Sequence, residues 1–260
     1  MSGKRAIAIA KTVAVANQKG GVGKTTTAIN LGAALAVLEH RVLIVDCDPQ
    51  GNATRGLGLE AGEPDLYAVL LDHAPAPAAV RSSGVDRLEV LPSNRDLVGV
   101  EVELVGTEAW ERRLKTRVVE ALRDRYDVIL LDCPPSLGHL TVNALVAADG
   151  VLVPLQCEYF ALEGISELLH TVRRVQGGLN PRLEITGILL TMYDERTNLS
   201  KDVSTEVRQH FPAEVFDTIV PRNVRLAEAP SHGLPVLQYD VRSRGAQAFL
   251  ALAGEFLRRM

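Results

Sequence analysis

Residues 17–27 read Asn-Gln-Lys-Gly-Gly-Val-Gly-Lys-Thr-Thr-Thr and follow directly on the apolar run Val13-Ala14-Val15-Ala16. A strand, a glycine-rich turn and a helix form the context in which such a turn holds phosphate. The stretch after Thr25 is rich in Ala and Leu and free of Pro, so a helix is predicted there. The loop glycines open backbone angles that a side chain closes, and successive N–H groups can then converge on an anion. Lys24 is placed to reach the β- and γ-phosphates, and the Thr25 hydroxyl to ligate Mg²⁺. The helix N-terminus adds partial positive charge beneath them. Gly20, Gly21, Val22, Gly23, Lys24, Thr25 and Thr26 are therefore the candidate nucleotide-binding residues. One position breaks the usual pattern of Gly, four residues, then Gly-Lys-Ser/Thr. Gln18 stands where the first Gly is usual, and a second lysine, Lys19, follows it. The dinucleotide fingerprint G-x-G-x-x-G is not met, because Gly21-Val22-Gly23 leads to Thr26.

Apolar strand-like runs alternate with longer helix-like segments along the 260 residues. Strands are predicted over Thr12–Ala16, Arg41–Asp46, Leu88–Leu91, Val128–Asp132, Gly150–Pro154, Glu184–Thr191 and Val215–Val220. Helices are expected near 25–38, 95–105, 108–124, 138–147, 161–176, 200–210 and 242–258. Most strands read as continuous apolar runs, the mark of burial on both faces. The alternation predicts an α/β fold of three layers: a mostly parallel twisted sheet flanked by helices. No linker divides the chain, so a single domain over residues 1–260 is expected. Ligands in such sheets sit at the carboxyl ends of strands.

Two predicted strands end in aspartate. Arg41–Asp46 runs into Asp46-Cys47-Asp48-Pro49-Gln50-Gly51-Asn52, and the two-residue period puts Asp46 and Asp48 on one face. A carboxylate here can orient a water against a γ-phosphate, because positioning dominates phosphoryl transfer. Val128–Asp132 runs into Cys133-Pro134-Pro135-Ser136-Leu137-Gly138. An apolar strand ending in Asp132 fits the second nucleotide motif, whose carboxylate holds Mg²⁺ directly or through water. The following turn suits a switch that senses the γ-phosphate, and Ser136 is positioned to cap the next helix.

Other classes are disfavoured. Cys47, Cys133 and Cys157 lack metal-type spacing and read as buried free thiols in a reduced cytosol. Aromatics make up 4%, too few for base stacking on single strands as the main activity. Lys11 breaks the early apolar run, which argues against a signal peptide, and no apolar stretch has the length of a membrane span. The net charge of −4 excludes a generally basic surface. Residues 218–260 nonetheless carry six arginines against three acidic residues.

On the segments KGGVGKTTT, VDCDPQGNATRGLG, LLDCPPSLG, LLTMYDERTNLS and VPRNVRLAEAPSHGLPV, the chain resembles the ParA/Soj chromosome- and plasmid-partitioning ATPases. These form part of the deviant-Walker, MinD-like branch of P-loop proteins. The likeness covers nearly the whole chain, with residues 1–10 as an N-terminal extension. It implies ATP and Mg²⁺ as cofactors. Lys19 would be the signature lysine that crosses an ATP-sandwich homodimer, Asp48 the aspartate needed for hydrolysis, and Thr25, Asp48 and Asp132 the metal-side residues. Met192, Pro221 and Arg222 would wall the adenine pocket. It further implies non-specific double-stranded DNA as a partner, with Arg196, Arg222, Arg225, Arg242 and Arg244 as candidate contacts. A ParB/Spo0J-type centromere-binding protein would stimulate a slow hydrolysis. A cytoplasmic, nucleoid-associated protein with no membrane partner is expected. The competing likeness is to membrane-associated MinD, whose terminal amphipathic helix enters lipid. Here Phe249, Leu250, Leu252, Phe256 and Leu257 lie on a helical period that is expected to face the core. Iron–sulfur reductases of nitrogenase type are disfavoured by the surroundings of Cys133.

Overall fold

The computed structural model describes residues 10–60, 62–104, 106–159 and 161–260, apart from the side chains of Glu101 and Glu163. Of the expected N-terminal extension, all but Ala10 lies outside the described residues. Six of the seven predicted runs become strands β1 (Lys11–Val15), β2 (Val42–Asp46), β4 (Leu88–Leu91), β5 (Val128–Asp132), β6 (Gly150–Gln156) and β7 (Glu184–Thr191), and the polar pair Arg81–Ser82 adds a short, unexpected strand, β3. They form one sheet in the order β3-β4-β2-β5-β1-β6-β7. Every pairing is parallel except that of the two-residue edge strand β3 with β4.

Side chains alternate across the central strands and feed two cores, as a sheet covered on both faces requires. Ala14, Leu43, Val45, Ile129 and Leu131 face one side, where Leu140, Ala144, Ile165 and Leu168 pack from helices His139–Ala147 and Ala161–Gln176. Val13, Val15, Ile44 and Leu130 face the other, against helices Lys24–Val37 and Arg244–Arg259. On the latter helix Phe249, Leu252 and Phe256 are buried, while Leu250 and Leu257 are half-buried at the core edge.

The predicted strand Val215–Val220 is not a strand. It runs beside β7 through two isolated bridges, Ile188 with Val215 and Tyr193 with Pro221. Between them the chain bows out of the ladder. The Glu255 carboxylate captures the N–H groups of Asp217 and Thr218 at 2.8 and 2.9 Å. Gly187 on β7 leaves the room for the Phe216 ring, which a Cβ would overlap. Two helices also differ from expectation. Residues 95–103 form a 3₁₀ turn and then one α-turn, and residues 110–122 pass from 3₁₀ through a π-helical turn at Lys115–Val119 to a short α-helix. Ser136 caps no helix: the residue before His139 is Gly138, which has no side-chain cap, and the Ser136 carbonyl accepts from Thr141.

Burial opposes ionisation of Glu255, but the backbone donors of Thr218 and Asp217 and the nearby Arg259 guanidinium outweigh it and hold its pKa below the usual range. A lowered folded pKa contributes stability that is present above the unfolded value and lost as pH falls through the folded one. Glu255→Gln is therefore expected to cost about 1–3 kcal/mol at pH 7. The gap from the native chain should close as pH drops below about 4. Urea denaturation of both proteins at pH 7 and pH 3.5 checks this.

Candidate nucleotide-binding site

Parallel pairing sets the carboxyl ends of β1, β2 and β5 side by side, with Asp46 opposite Asp132 and Val15 opposite Asp132 in register. The glycine-rich loop leaves β1 at this edge. Gly23, at φ 91°, occupies the left-handed region as the residue before helix Lys24–Val37, a conformation strained for any side chain. Neighbouring strand ends fasten the loop. The Asn17 amide donates to the Pro154 carbonyl at 2.8 Å beyond β1, and Thr191 Oγ1 on β7 donates to the Val22 carbonyl at 2.9 Å. Within the helix, Asn30 donates to the Thr26 carbonyl at 2.8 Å and accepts from the Val236 N–H at 2.7 Å.

Lys24 is buried, and its Nζ donates to the Lys19 carbonyl at 2.9 Å. Burial lowers its pKa, opposed by the charges of Asp132, Cys133 and Asp48. Asp46 and Asp132 are fully buried. They are not equivalent. Asp46 is saturated: Oδ2 accepts from Thr54 N–H and Thr54 Oγ1, and Oδ1 accepts from Asp48 N–H. Burial still pushes its pKa to about 6. Among the described residues neither oxygen of Asp132 has a hydrogen-bond partner. The Thr25 hydroxyl acts on Asp132 favourably without closing a bond of normal geometry. Burial, then the neighbouring Asp46, drives the Asp132 pKa well above the carboxylate range.

Buried polar groups are almost always partnered, so two orphaned carboxylate oxygens beside a buried lysine and a threonine hydroxyl fit a cation at this point. Among the described residues no cluster of His, Cys, Asp and Glu forms an all-protein metal cage. Mg²⁺ is usually held by one or two protein groups plus phosphate, and Asp132 with the Thr25 hydroxyl could supply that number. Asp48 is nearly buried beyond the end of β2. Its Oδ1 accepts from Gln50 N–H at 2.9 Å, and its carbonyl accepts from Ser93 Oγ at 2.9 Å. Asp46 thus supports the turn that presents Asp48, rather than acting beside it.

A cavity of about 270 Å³ adjoins the loop, lined by Gly23, Thr27, Met192, Pro221, Leu226 and Phe249 among others. Arg222 also borders it, so the three residues expected to wall a base pocket are brought together. Met192 holds φ 50°, a strained conformation for a side-chain residue and one that clusters at ligand clamps. Sequence reasoning missed Thr27, Leu226 and Phe249. Thr27 Oγ1 is buried and has no partner among the described residues, and its place three residues after Lys24 was the available signal.

The candidate arginines are exposed, and three are already paired. Arg196 binds Asp194 at 2.7 Å, Arg225 binds Glu228 at 2.8 Å and Asp240 at 3.4 Å, and Arg244 binds Glu195 at 3.1 Å. Arg222 and Arg242 form no ion pair among the described residues. The three cysteines are buried and free.

Sheet order, strand–loop–helix and strand-end carboxylates define a P-loop NTPase fold. A family described as an AAA domain matches residues 10–185. Soj of Bacillus subtilis, named a sporulation initiation inhibitor protein, is 55% identical over 247 residues, covering 94% of this chain and 97% of its own. The chromosome partitioning protein ParA of Caulobacter vibrioides is 53% identical, covering 96% of this chain and 94% of its own. Cobyrinic acid a,c-diamide synthase of Mycobacterium smegmatis, solved with an ATP analog and magnesium, is 40% identical at TM-score 0.83, covering 96% and 95%. The chain belongs to the ParA/Soj family of chromosome-partitioning ATPases.

Asp132 carries a stability cost in the ligand-free protein. A raised folded pKa makes stability fall as pH rises, so removing the charge is worth more at high pH. Asp132→Asn is expected to raise ligand-free stability by about 1–3 kcal/mol at pH 8, with a smaller gain at pH 5. Chemical denaturation without nucleotide tests this.

Proposed function

We propose that the chain is an ATP-dependent partitioning ATPase that dimerises on ATP, holds DNA without reading its sequence and releases it on hydrolysis. The observation that carries this reading is the orphaned Asp132 carboxylate beside Lys24 and Thr25. Gly20 to Thr26 would cradle the phosphates, and Lys24 would leave the Lys19 carbonyl for the β- and γ-phosphates. Thr25 and Asp132 would hold Mg²⁺, which supplies charge neutralisation on the phosphoryl oxygens. Asp48 would orient the attacking water, accepting its proton at Oδ2, the oxygen that Gln50 N–H leaves free. Met192, Pro221 and Arg222 would border the base.

Lys19 would reach the phosphates of a second copy. A γ-phosphate neutralised from both subunits favours the dimer only while ATP is bound, so hydrolysis loosens it by removing differential contacts. Soj and ParA relatives carry names that point to chromosome partitioning, which supports a nucleoid location and a ParB/Spo0J-type partner for this chain. A likeness to the cell division ATPase MinD of Pyrococcus furiosus, 25% identical at TM-score 0.80, supports the same fold; the alternative reading is a membrane-associated positioning ATPase. No helix of the described residues is long and apolar enough to cross a membrane. The apolar face of Arg244–Arg259 is committed to the core rather than offered to lipid.

Plasmid DNA and anionic vesicles, each mixed with protein and Mg·ATP or Mg·ADP, separate the two readings. DNA retention that needs ATP and weakens with salt is expected; vesicle binding without a DNA shift would overturn the DNA reading. Asp48→Ala should keep ATP and the dimer while losing turnover by about 10²-fold or more. Lys19→Ala should lose ATP-induced dimerisation in light scattering. Normal turnover in the first, or unchanged scattering in the second, removes the assigned role.

A further inference from the structure

The loop's second lysine is already engaged within its own chain. Lys19 Nζ lies 3.1 Å from Glu158 Oε2, with both side chains roughly two-fifths exposed. Glu158 sits two residues past β6, and its Oε1 accepts from the Gln156 amide, so the end of β6 orients the carboxylate. That strand also orients the lysine's backbone. Lys19 N–H donates to Asn17 Oδ1 at 3.0 Å, and the Asn17 amide is bound to Pro154 within β6. One strand end therefore fixes both partners of an ion pair whose members are 139 positions apart in sequence.

We propose that Glu158 is a positioning residue that keeps Lys19 on its own subunit, and that assembly of the ATP dimer exchanges this carboxylate for a partner's phosphate. The inference rests on the proposed cross-subunit role of Lys19. Both acceptors are anionic and both need the same ammonium. A half-exposed ion pair contributes little, so the contact sets a bias that a γ-phosphate overcomes, not a lock. With ADP the competing anion is missing and the lysine stays folded back. Glu158 thereby penalises dimers that lack a γ-phosphate.

The test compares the native chain, Glu158→Gln, Lys19→Ala and the double variant by sedimentation velocity in saturating Mg·ATPγS and in Mg·ADP. Glu158→Gln is expected to tighten the ATPγS dimer by about two- to tenfold, with one contact released per subunit. The gain should shrink at 0.5 M salt, where an exposed pair is screened, and vanish when Lys19 is Ala. A Glu158→Gln dimer of unchanged or weaker affinity would overturn the proposal, the latter by placing Glu158 among the groups that hold the dimer together. A gain that persists without Lys19 would overturn it too. A native chain that stays monomeric in both Mg·ATP and Mg·ATPγS would instead remove the dimer reading, and this proposal with it.

Discussion

The register between β2 and β5 is the constraint on which the site depends. It sets two carboxylates, Asp46 and Asp132, opposite each other at fully buried positions. Two carboxylates in such a place cannot both carry charge unless donors or a cation compensate them, and otherwise one keeps its proton. The structure treats the two differently. Asp46 collects three donors and fixes the turn carrying Asp48; Asp132 collects none. The identical side chain, one strand apart, becomes a structural anchor in one case and a carboxylate without a hydrogen-bond partner among the described residues in the other.

The same edge is held from several directions. Asn17, Thr191 and Asn30 each tie the loop or its helix to a segment distant in sequence. A phosphate cradle needs its N–H groups preset rather than recruited, because ordering them on binding costs conformational entropy. The three amide and hydroxyl ties meet that cost during folding. The strained backbone at Met192 belongs to the same arrangement, since it turns the chain from β7 into the cavity wall.

Much of this was legible in the sequence, where local pattern and tertiary role coincide. Val13–Ala16 into Gly23-Lys24-Thr25, and Val128–Leu131 into Asp132, are apolar runs ending in polar residues, and both became strands with the polar group at the carboxyl end. Val215–Val220 reads in the same way, although Asp217 and Thr218 interrupt its apolar residues, and it failed as a strand. The competitor was Glu255, a single carboxylate 38 and 37 positions away that accepts from the adjacent N–H groups of Asp217 and Thr218. The segment 108–124 has helical composition, yet its turns tighten and loosen from 3₁₀ to π. The cavity wall escaped notice for a related reason. Phe249 and Leu226 look like ordinary core residues, and only the packing of helix Arg244–Arg259 beside the loop brings Phe249 into the cavity wall. The Lys19–Glu158 contact joins two polar loop ends and carries no local signature at all.

The ion pairs of Arg196, Arg225 and Arg244 bear on how DNA attachment would be measured. Each guanidinium that moves to a backbone phosphate leaves behind Asp194, Glu228, Asp240 or Glu195 as a bare surface carboxylate. That carboxylate then gathers a cation from solution, while the phosphate sheds one. Uptake at the protein offsets release at the DNA. The ionic stoichiometry of binding would therefore understate the number of arginines in contact, least for Arg222 and Arg242, which form no ion pair among the described residues, although the Arg222 charge still acts on Asp194.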